Sequence, residues 1–423
     1  MNNNKNKDKL QINLSINVCF TLIAILSSTA FAEIIPPIKP IQNLKATVST
    51  KQCVPIASWI VPGKNTKTSF TEIVSRANQH SVILLGETHI NREHHRWQLQ
   101  VLAALHATRP DMIIGFEMFP RSVQKALDQW IAGELSESDF LHNTKWNSVW
   151  GTDASLYLPL FHFARMNRIP MRALNIDHEL RKRVSDKGFD SVPENEREGV
   201  TRPAPPSPAY LDFLLPIYEL HDHKPKPKSK SSKYDPDFLR FVVGQQLWDR
   251  AMAQEIKVAL DSLGKHKNSL VVGIMGTGHI LHGFGVPHQL KDLGVTGITS
   301  LIPWDTNKSC KQLTEGYADA VFGLAPQSIE TAPPFQRLGI RYEIMVDQSG
   351  ARVIDVEKAS IAEKSGLLAG DIIREIAGIS VKETDDIVSV VKRQAPGTWL
   401  PLTVQRGEGS IEIIAKFPII GKK

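Results

Sequence analysis

Beyond its first 32 residues the sequence has no apolar run approaching the ~20 residues that cross a bilayer, so no membrane-embedded domain is expected there. Cysteine is scarce: only Cys19, Cys53 and Cys310 occur. No basic stripe is interleaved with aromatics, and a net charge of +6 over 423 residues is modest, which argues against a nucleic-acid partner. No G-x-S-x-G stands at a strand end, which removes the serine hydrolases built on a nucleophile elbow. The glycine-rich "GTGHILHGFG" lacks the Lys-Ser/Thr of a phosphate loop and has the wrong spacing for a dinucleotide fingerprint. What is present is an ordinary globular composition, 42% hydrophobic, in a chain long enough for two or three domains.

The first 32 residues read as a secretory signal. Lys5, Lys7 and Lys9 lead into the apolar run Ile16 to Ile25, and Ala30-Phe31-Ala32 offers small residues at −3 and −1 of a cleavage site after Ala32. An uncleaved anchor is the other reading, but the run is short for a span and ends in Ser27-Ser28-Thr29. Cys19 follows Asn17-Val18, without the small residue expected before a lipidated cysteine. A soluble exported protein of the Gram-negative periplasm is therefore expected. Loss of the signal leaves Cys53 and Cys310, an even pair that an oxidising compartment can join, with two free buried thiols as the alternative.

After a Pro-rich linker (33–54) one pattern recurs: a short apolar run, a polar or glycine turn, then a helical segment. The runs are Ser81-Leu85, Met112-Phe116, Pro170-Leu174, Leu270-Met275 and Ile298-Ile302, with helices expected over Arg92-Thr108, Ser122-Ile131, Ala154-Asn167 and Pro236-Leu263. Continuous apolar strands alternating with amphipathic helices predict an α/β fold with a parallel sheet covered on both faces, spanning 55–330. A helical insertion over about 178–234 interrupts it, ending in the basic run "HKPKPKSKSSK". A second composition shift near Thr331-Pro334 opens a small β-rich domain over 335–420.

In an open parallel sheet ligands bind beyond the carboxyl ends of the strands, where loops converge and helix N-termini present unpaired N–H groups. The residues that follow the strands are therefore informative. They are Gly86-Glu87-Thr88-His89, Glu117, Asn175 with Asp177-His178, and Gly276-Thr277-Gly278-His279. Taken singly each has a structural reading: Glu117 as a helix N-terminal carboxylate, His94 and His95 as polar residues in the first turn of a helix capped by Asn91. Taken together they place carboxylates and imidazoles on one rim, where they would otherwise desolvate one another without benefit.

The set "LLGETHINREHHRWQ", "FEMF", "QQLWDRAMAQEI" and "GTGHILHGFGVP", over about residues 55 to 310, resembles the ChaN family of haem-binding uptake proteins, grouped with Tiki proteases and erythromycin esterases. The resemblance implies two functions. One is non-covalent haem binding in iron uptake, possible as a homodimer; no C-x-x-C-H is present for covalent attachment. Haem requires an apolar slot, an axial His or Tyr, and cations for its propionates. The segment "PAYLDFLLPIYELHDHKPK" offers Tyr210, Tyr218, His221 and His223, although helical spacing of aromatics is equally the mark of packing. The other is metal-dependent hydrolysis by His89, Glu87, Glu117 and His279. There His89, Glu117 and His279 are the expected ligands of a divalent metal, and a glutamate is the base.

The last 90 or so residues, with "SGLLAGDIIREIAG" at their centre, resemble a PDZ domain of the HtrA type. That resemblance implies capture of a peptide or envelope protein by strand addition, with Leu338, Gly339 and Ile340 forming the carboxylate loop. The alternative is an intramolecular prop with an occluded groove.

Overall fold

The computed structural model describes residues 53–419 apart from 65, 78, 222–231, 265–268 and 328–336. The expected signal, nearly all of the linker and the basic run of the insertion lie outside the described residues.

The larger sheet has eight strands: β1 (Trp59–Val61), β2 (Thr66–Thr68), β3 (Val82–Glu87), β4 (Met112–Pro120), β5 (Met171–Asn175), β6 (Leu270–Gly276), β7 (Ile298–Asp305) and β8 (Ala320–Leu324). Their spatial order is β2-β1-β8-β7-β3-β6-β4-β5. From β8 to β5 every pairing is parallel, whereas β1 joins β8 and β2 antiparallel, so the sheet is mixed at one edge. The five apolar runs read from the sequence are β3 to β7; β1, β2 and β8 were not among them. The central strands β3, β4 and β6 are buried along their whole length, as their unbroken apolar runs require.

Among the described residues ten α-helices accompany this sheet: α1 (Phe70–Ala77), α2 (Arg92–Thr108), α3 (Gln124–Ala132), α4 (Glu137–Asn143), α5 (Trp146–Val149), α6 (Leu158–Met166), α7 (His178–Lys187), α8 (Pro208–His221), α9 (Pro236–Ser262) and α10 (Val286–Asp292). Strand residues alternate between two cores, as a pleat of period two demands. Ile83 and Leu85 pack with Trp97, Val101, Trp130 and Phe161 from α2, α3 and α6. Val82 and Leu84 pack with Met252, Ile256, Val286 and Leu290 from α9 and α10. The insertion is helical, as expected: Leu180 and Val184 of α7 and Tyr210 and Leu214 of α8 pack along α9. Cys53 and Cys310 form a disulfide that ties the start of the described chain to the turn after β7.

The C-terminal sheet is antiparallel and has six strands: β9 (Ile340–Ile344), β10 (Ala351–Val356), β11 (Ile372–Ile376), β12 (Ile379–Ser380), β13 (Trp399–Arg406) and β14 (Gly409–Lys416). It carries the short α11 (Ile361–Lys364) and α12 (Thr384–Lys392) around its own core of Val353, Ile373, Ile387, Leu402 and Ala415.

Candidate functional site

Three parallel strands deliver the polar residues to one place. Glu87 closes β3 and His89 follows it; Glu117 lies within β4, where the register with β5 shifts between Phe116 and Pro120; His279 ends a single 3-10 turn after β6. The His89 ring lies against the end of β6: a Cβ at Gly276 would come within 2.9 Å of His89 Cε1, so a larger residue there would push the imidazole aside.

The first half of the rim centres on Glu87 and His89. His89 Nδ1 lies 2.5 Å from Glu87 Oε1, and the Tyr157 hydroxyl donates to the same oxygen at 3.1 Å. The second half centres on His279. Its Nδ1 is 2.7 Å from Asp249 Oδ1, and its Nε2 is 3.3 Å from Glu117 Oε1. Glu117 Oε2 accepts the Gly276 amide at 2.6 Å, and Asp249 Oδ2 accepts the Tyr210 hydroxyl at 2.6 Å. A buried line thus runs from α8 to the sheet: Tyr210, Asp249, His279, Glu117.

Burial alone would depress His279, but the carboxylates of Glu117 and Asp249 outweigh it and push its pKa up to about 10. Burial would raise Glu117, yet the imidazoles of His279 and His89 and the Gly276 amide hold it below the ordinary carboxylate value. For His89, too, burial is overcome by Glu87 and Glu117, which raise it. The site is a compact set of alternating charges. Glu87 Oε2 is a buried carboxylate oxygen with no hydrogen-bond partner among the described residues, and Glu117 Oε1 has the His279 Nε2 contact at 3.3 Å. Ligand atoms of Glu87, His89 and Glu117 lie within 4.8 Å of one another, close enough to share one cation.

The structure therefore brings together His89, Glu87, Glu117 and His279. It gives His94 and His95 the bland role. The Asn91 side chain accepts the amides of Glu93 and His94 as the cap of α2. The Thr88 amide donates to His94 Nδ1 at 2.9 Å, so Nε2–H faces Asp305 Oδ1 at 3.1 Å, while His95 Nε2 donates to the His89 carbonyl at 3.1 Å. Both imidazoles brace the loop that presents His89.

Sequence reasoning missed Asp249 and Tyr157. Asp249 is fully buried on the face of α9 that carries Met252, Ala253 and Ile256; an acidic residue in that apolar stripe was the available signal. Tyr157 left none, since it precedes α6 as an ordinary aromatic.

Of the four residues expected on the haem arm, Tyr210 is buried with its hydroxyl on Asp249, and Tyr218 packs edge-on against Phe238 at 5.6 Å. The His221 side chain and His223 lie outside the described residues.

The C-terminal domain has a second site. A groove of about 540 Å³ runs between β9, an edge strand, and α12, lined by Leu338, Gly339, Ile340, Ile387 and Val391. Gly339 takes φ +79° at its end, a conformation that turns the loop and that a side chain would oppose.

An open α/β sheet with a charged rim, joined to a β-rich domain with a groove at its sheet edge, defines a two-module binding protein. The family model described as haem-binding uptake, Tiki superfamily, ChaN matches residues 73–290, just over half of the chain, and the chain belongs to that family. A PDZ domain model matches residues 352–406. Serine protease HTRA1 of Xenopus tropicalis is 40% identical over 65 residues, which are 15% of this chain and 14% of that protein. The chain thus spans about a seventh of that relative's length. Among solved structures, ChaN of Campylobacter jejuni, described with cofacial heme binding, is 19% identical with a TM-score of 0.48, covering 62% of this chain and 95% of that one. The HtrA3 PDZ domain bound to the phage-derived ligand FGRWV is 26% identical with a TM-score of 0.18, covering 19% of this chain and 83% of that one.

Proposed function

We propose that the protein is an exported, periplasmic haem-binding protein of iron uptake, processed after Ala32, whose 55–330 domain holds haem non-covalently while its 335–420 domain docks a peptide or an envelope protein. The observation that carries this reading is membership of the haem-binding family over residues 73–290. A fit for the macrocycle comes from a cavity of about 670 Å³ beside the rim, within the ~300–1,000 Å³ usual for cofactor sites. No helix among the described residues is long and apolar enough to cross a membrane. When bound, haem would supply an iron for transport; the chain's own work is to hold the ring and keep it from water. Titration with haemin is expected to give a saturable, shifted Soret band near one haem per chain. Free haemin absorbance at every ratio rejects the reading.

The groove between β9 and α12 supports docking, because an extended peptide can add to the free edge of β9 with its carboxylate at Leu338-Gly339-Ile340. Deleting 335–423 is expected to abolish partner co-purification and leave haemin binding intact.

A metal-dependent hydrolase is a second reading, favoured by the unpartnered Glu87 Oε2 and by the convergence of Glu87, His89 and Glu117. Glu87, His89 and Glu117 would hold a divalent cation, which would lower the pKa of a bound water. His279, charged between two carboxylates, would position Glu117. Metal analysis of protein purified without chelator is expected to return near-stoichiometric metal for the wild type and a loss of about tenfold or more for Glu117→Gln. Metal-free wild type without turnover rejects this reading.

A further inference from the structure

The cavity beside the rim opens past the carboxyl ends of β4 and β5, and its wall includes Met118, Trp150, Ile176, Arg181 and Trp248. Its two indoles flank the charged rim: Trp150 stands edge-on to His89 at 4.7 Å and Trp248 edge-on to His279 at 5.0 Å. The wall mixes these indoles and the aliphatic Met118, Val149 and Ile176, a surface for a flat ring, with polar residues that include Asn175 and Lys145.

Arg181, one turn into α7, lies with its guanidinium 4.4 Å from the Trp248 ring centre. The residue is half-buried, yet its guanidinium makes no ion pair or hydrogen bond among the described residues. Burial draws its pKa below the ordinary guanidinium value, and the charge of Glu117 opposes that only in part. Buried cations are ordinarily paired, because five N–H donors without acceptors are costly to desolvate. The nearby carboxylates do not serve it: exposed Asp177 accepts from Ser122 at 2.9 Å, and exposed Glu179 stands 3.9 Å from His178. The Trp248 indole N–H is a buried donor without an acceptor among the described residues. The cavity therefore offers a fork of donors at one wall and aromatic surface elsewhere.

We propose that this cavity receives a flat aromatic ligand bearing a carboxylate, with Arg181 as the carboxylate's partner and Trp150 and Trp248 as walls for the ring. This rests on the haem reading for the choice of porphyrin, whose propionates supply the carboxylates. It moves the haem seat away from α8, where the Tyr210 hydroxyl is already committed to Asp249.

The test is quenching of tryptophan fluorescence in the full chain by three probes: haemin, metal-free protoporphyrin IX and haemin dimethyl ester, which lacks free carboxylates. Wild type is expected to bind the first two and to bind the ester more weakly. Arg181→Gln is expected to weaken haemin and protoporphyrin by about 10- to 100-fold, the worth of a charge-assisted hydrogen-bond pair, and to leave the ester unchanged. Arg181→Lys should recover part of the loss. Equal affinity of wild type and Arg181→Gln for both acids overturns the proposal and leaves haem binding standing. Binding of protoporphyrin IX but not haemin, still dependent on Arg181, sinks the haem reading and keeps this one; no binding of either sinks both. Should Arg181→Gln fail to fold, the acid-to-ester difference in wild type decides, and equal affinities reject the proposal.

Discussion

His279 lies between two buried carboxylates, Asp249 at 2.7 Å and Glu117 at 3.3 Å, and this arrangement fixes its charge state. With a pKa pushed up to about 10, against about 6.5 for a free imidazole, its charged form is favoured in the fold. A raised value contributes stability that is complete below about pH 6.5 and is lost as pH climbs through about 10. Imidazole proton shifts are therefore expected to show His279 still charged at pH 8 in wild type, and titrating at lower pH in Asp249→Asn, where Glu117 alone remains beside it. Titration near 6.5 in wild type would contradict the assignment. The residues that gather here had two kinds of legibility. Glu87 and His89 stand at the end of β3, His279 just after β6, and Glu117 within β4 beyond its apolar run, so the parallel sheet aligns them. Asp249 comes from the middle of a 27-residue helix and reaches the rim only through packing that no local spacing records.

Among the elements, an aromatic wedge fills the space between β4 and helices α3 to α6. Phe140 is fully buried, with ring centres of Trp130 at 4.6 Å, Phe161 at 5.5 Å and Phe119 at 5.9 Å. Phe140→Ala is expected to cost about 3–5 kcal/mol in urea unfolding, since these rings cannot collapse together into the space. A loss below 1 kcal/mol would mean that α4 is not anchored as described. In the C-terminal domain, Asp371 at the Gly370-Asp371 turn takes both arms of Arg406 at 2.7 Å and the Leu368 amide at 2.9 Å. Burial would raise this carboxyl, but Arg406 and the amide hold it below its ordinary value. The stability it contributes is therefore present above about pH 4 and is lost on further acidification. Asp371→Asn is expected to unfold more easily at pH 7 and to match wild type more closely near pH 2. A gap that persists in acid would point to packing instead. The strands β3 to β7 were legible from their apolar runs, which burial on both faces demands of the central ones. The three-residue β1 and β2 were not, since so short a stretch carries no periodicity, and only the pairing of β1 with β8 and of β2 with β1 makes them strands.

Over the whole molecule, the disulfide between Cys53 and Cys310 spans 257 residues and so restricts the unfolded chain over most of the α/β domain. Reduction, or Cys53→Ser, is expected to lower stability by about 2–4 kcal/mol by unfolding in urea with and without reductant. Identical curves would contradict a structural role. The fold class, the two-module order and the family were all legible from motifs of strong local spelling. The Cys53–Cys310 bridge was one of two readings the even pair allowed, whereas the cavity walled by α5, α7 and α9 was not legible, because it depends on contacts between segments far apart in sequence. The central claim is that this chain carries haem without a covalent bond. It is tested most directly by purifying the full protein from haem-replete cells and extracting it with acidified organic solvent. Near-stoichiometric haem passing wholly into the solvent is the predicted result; protein that carries none, and takes up none when haemin is added, would contradict it.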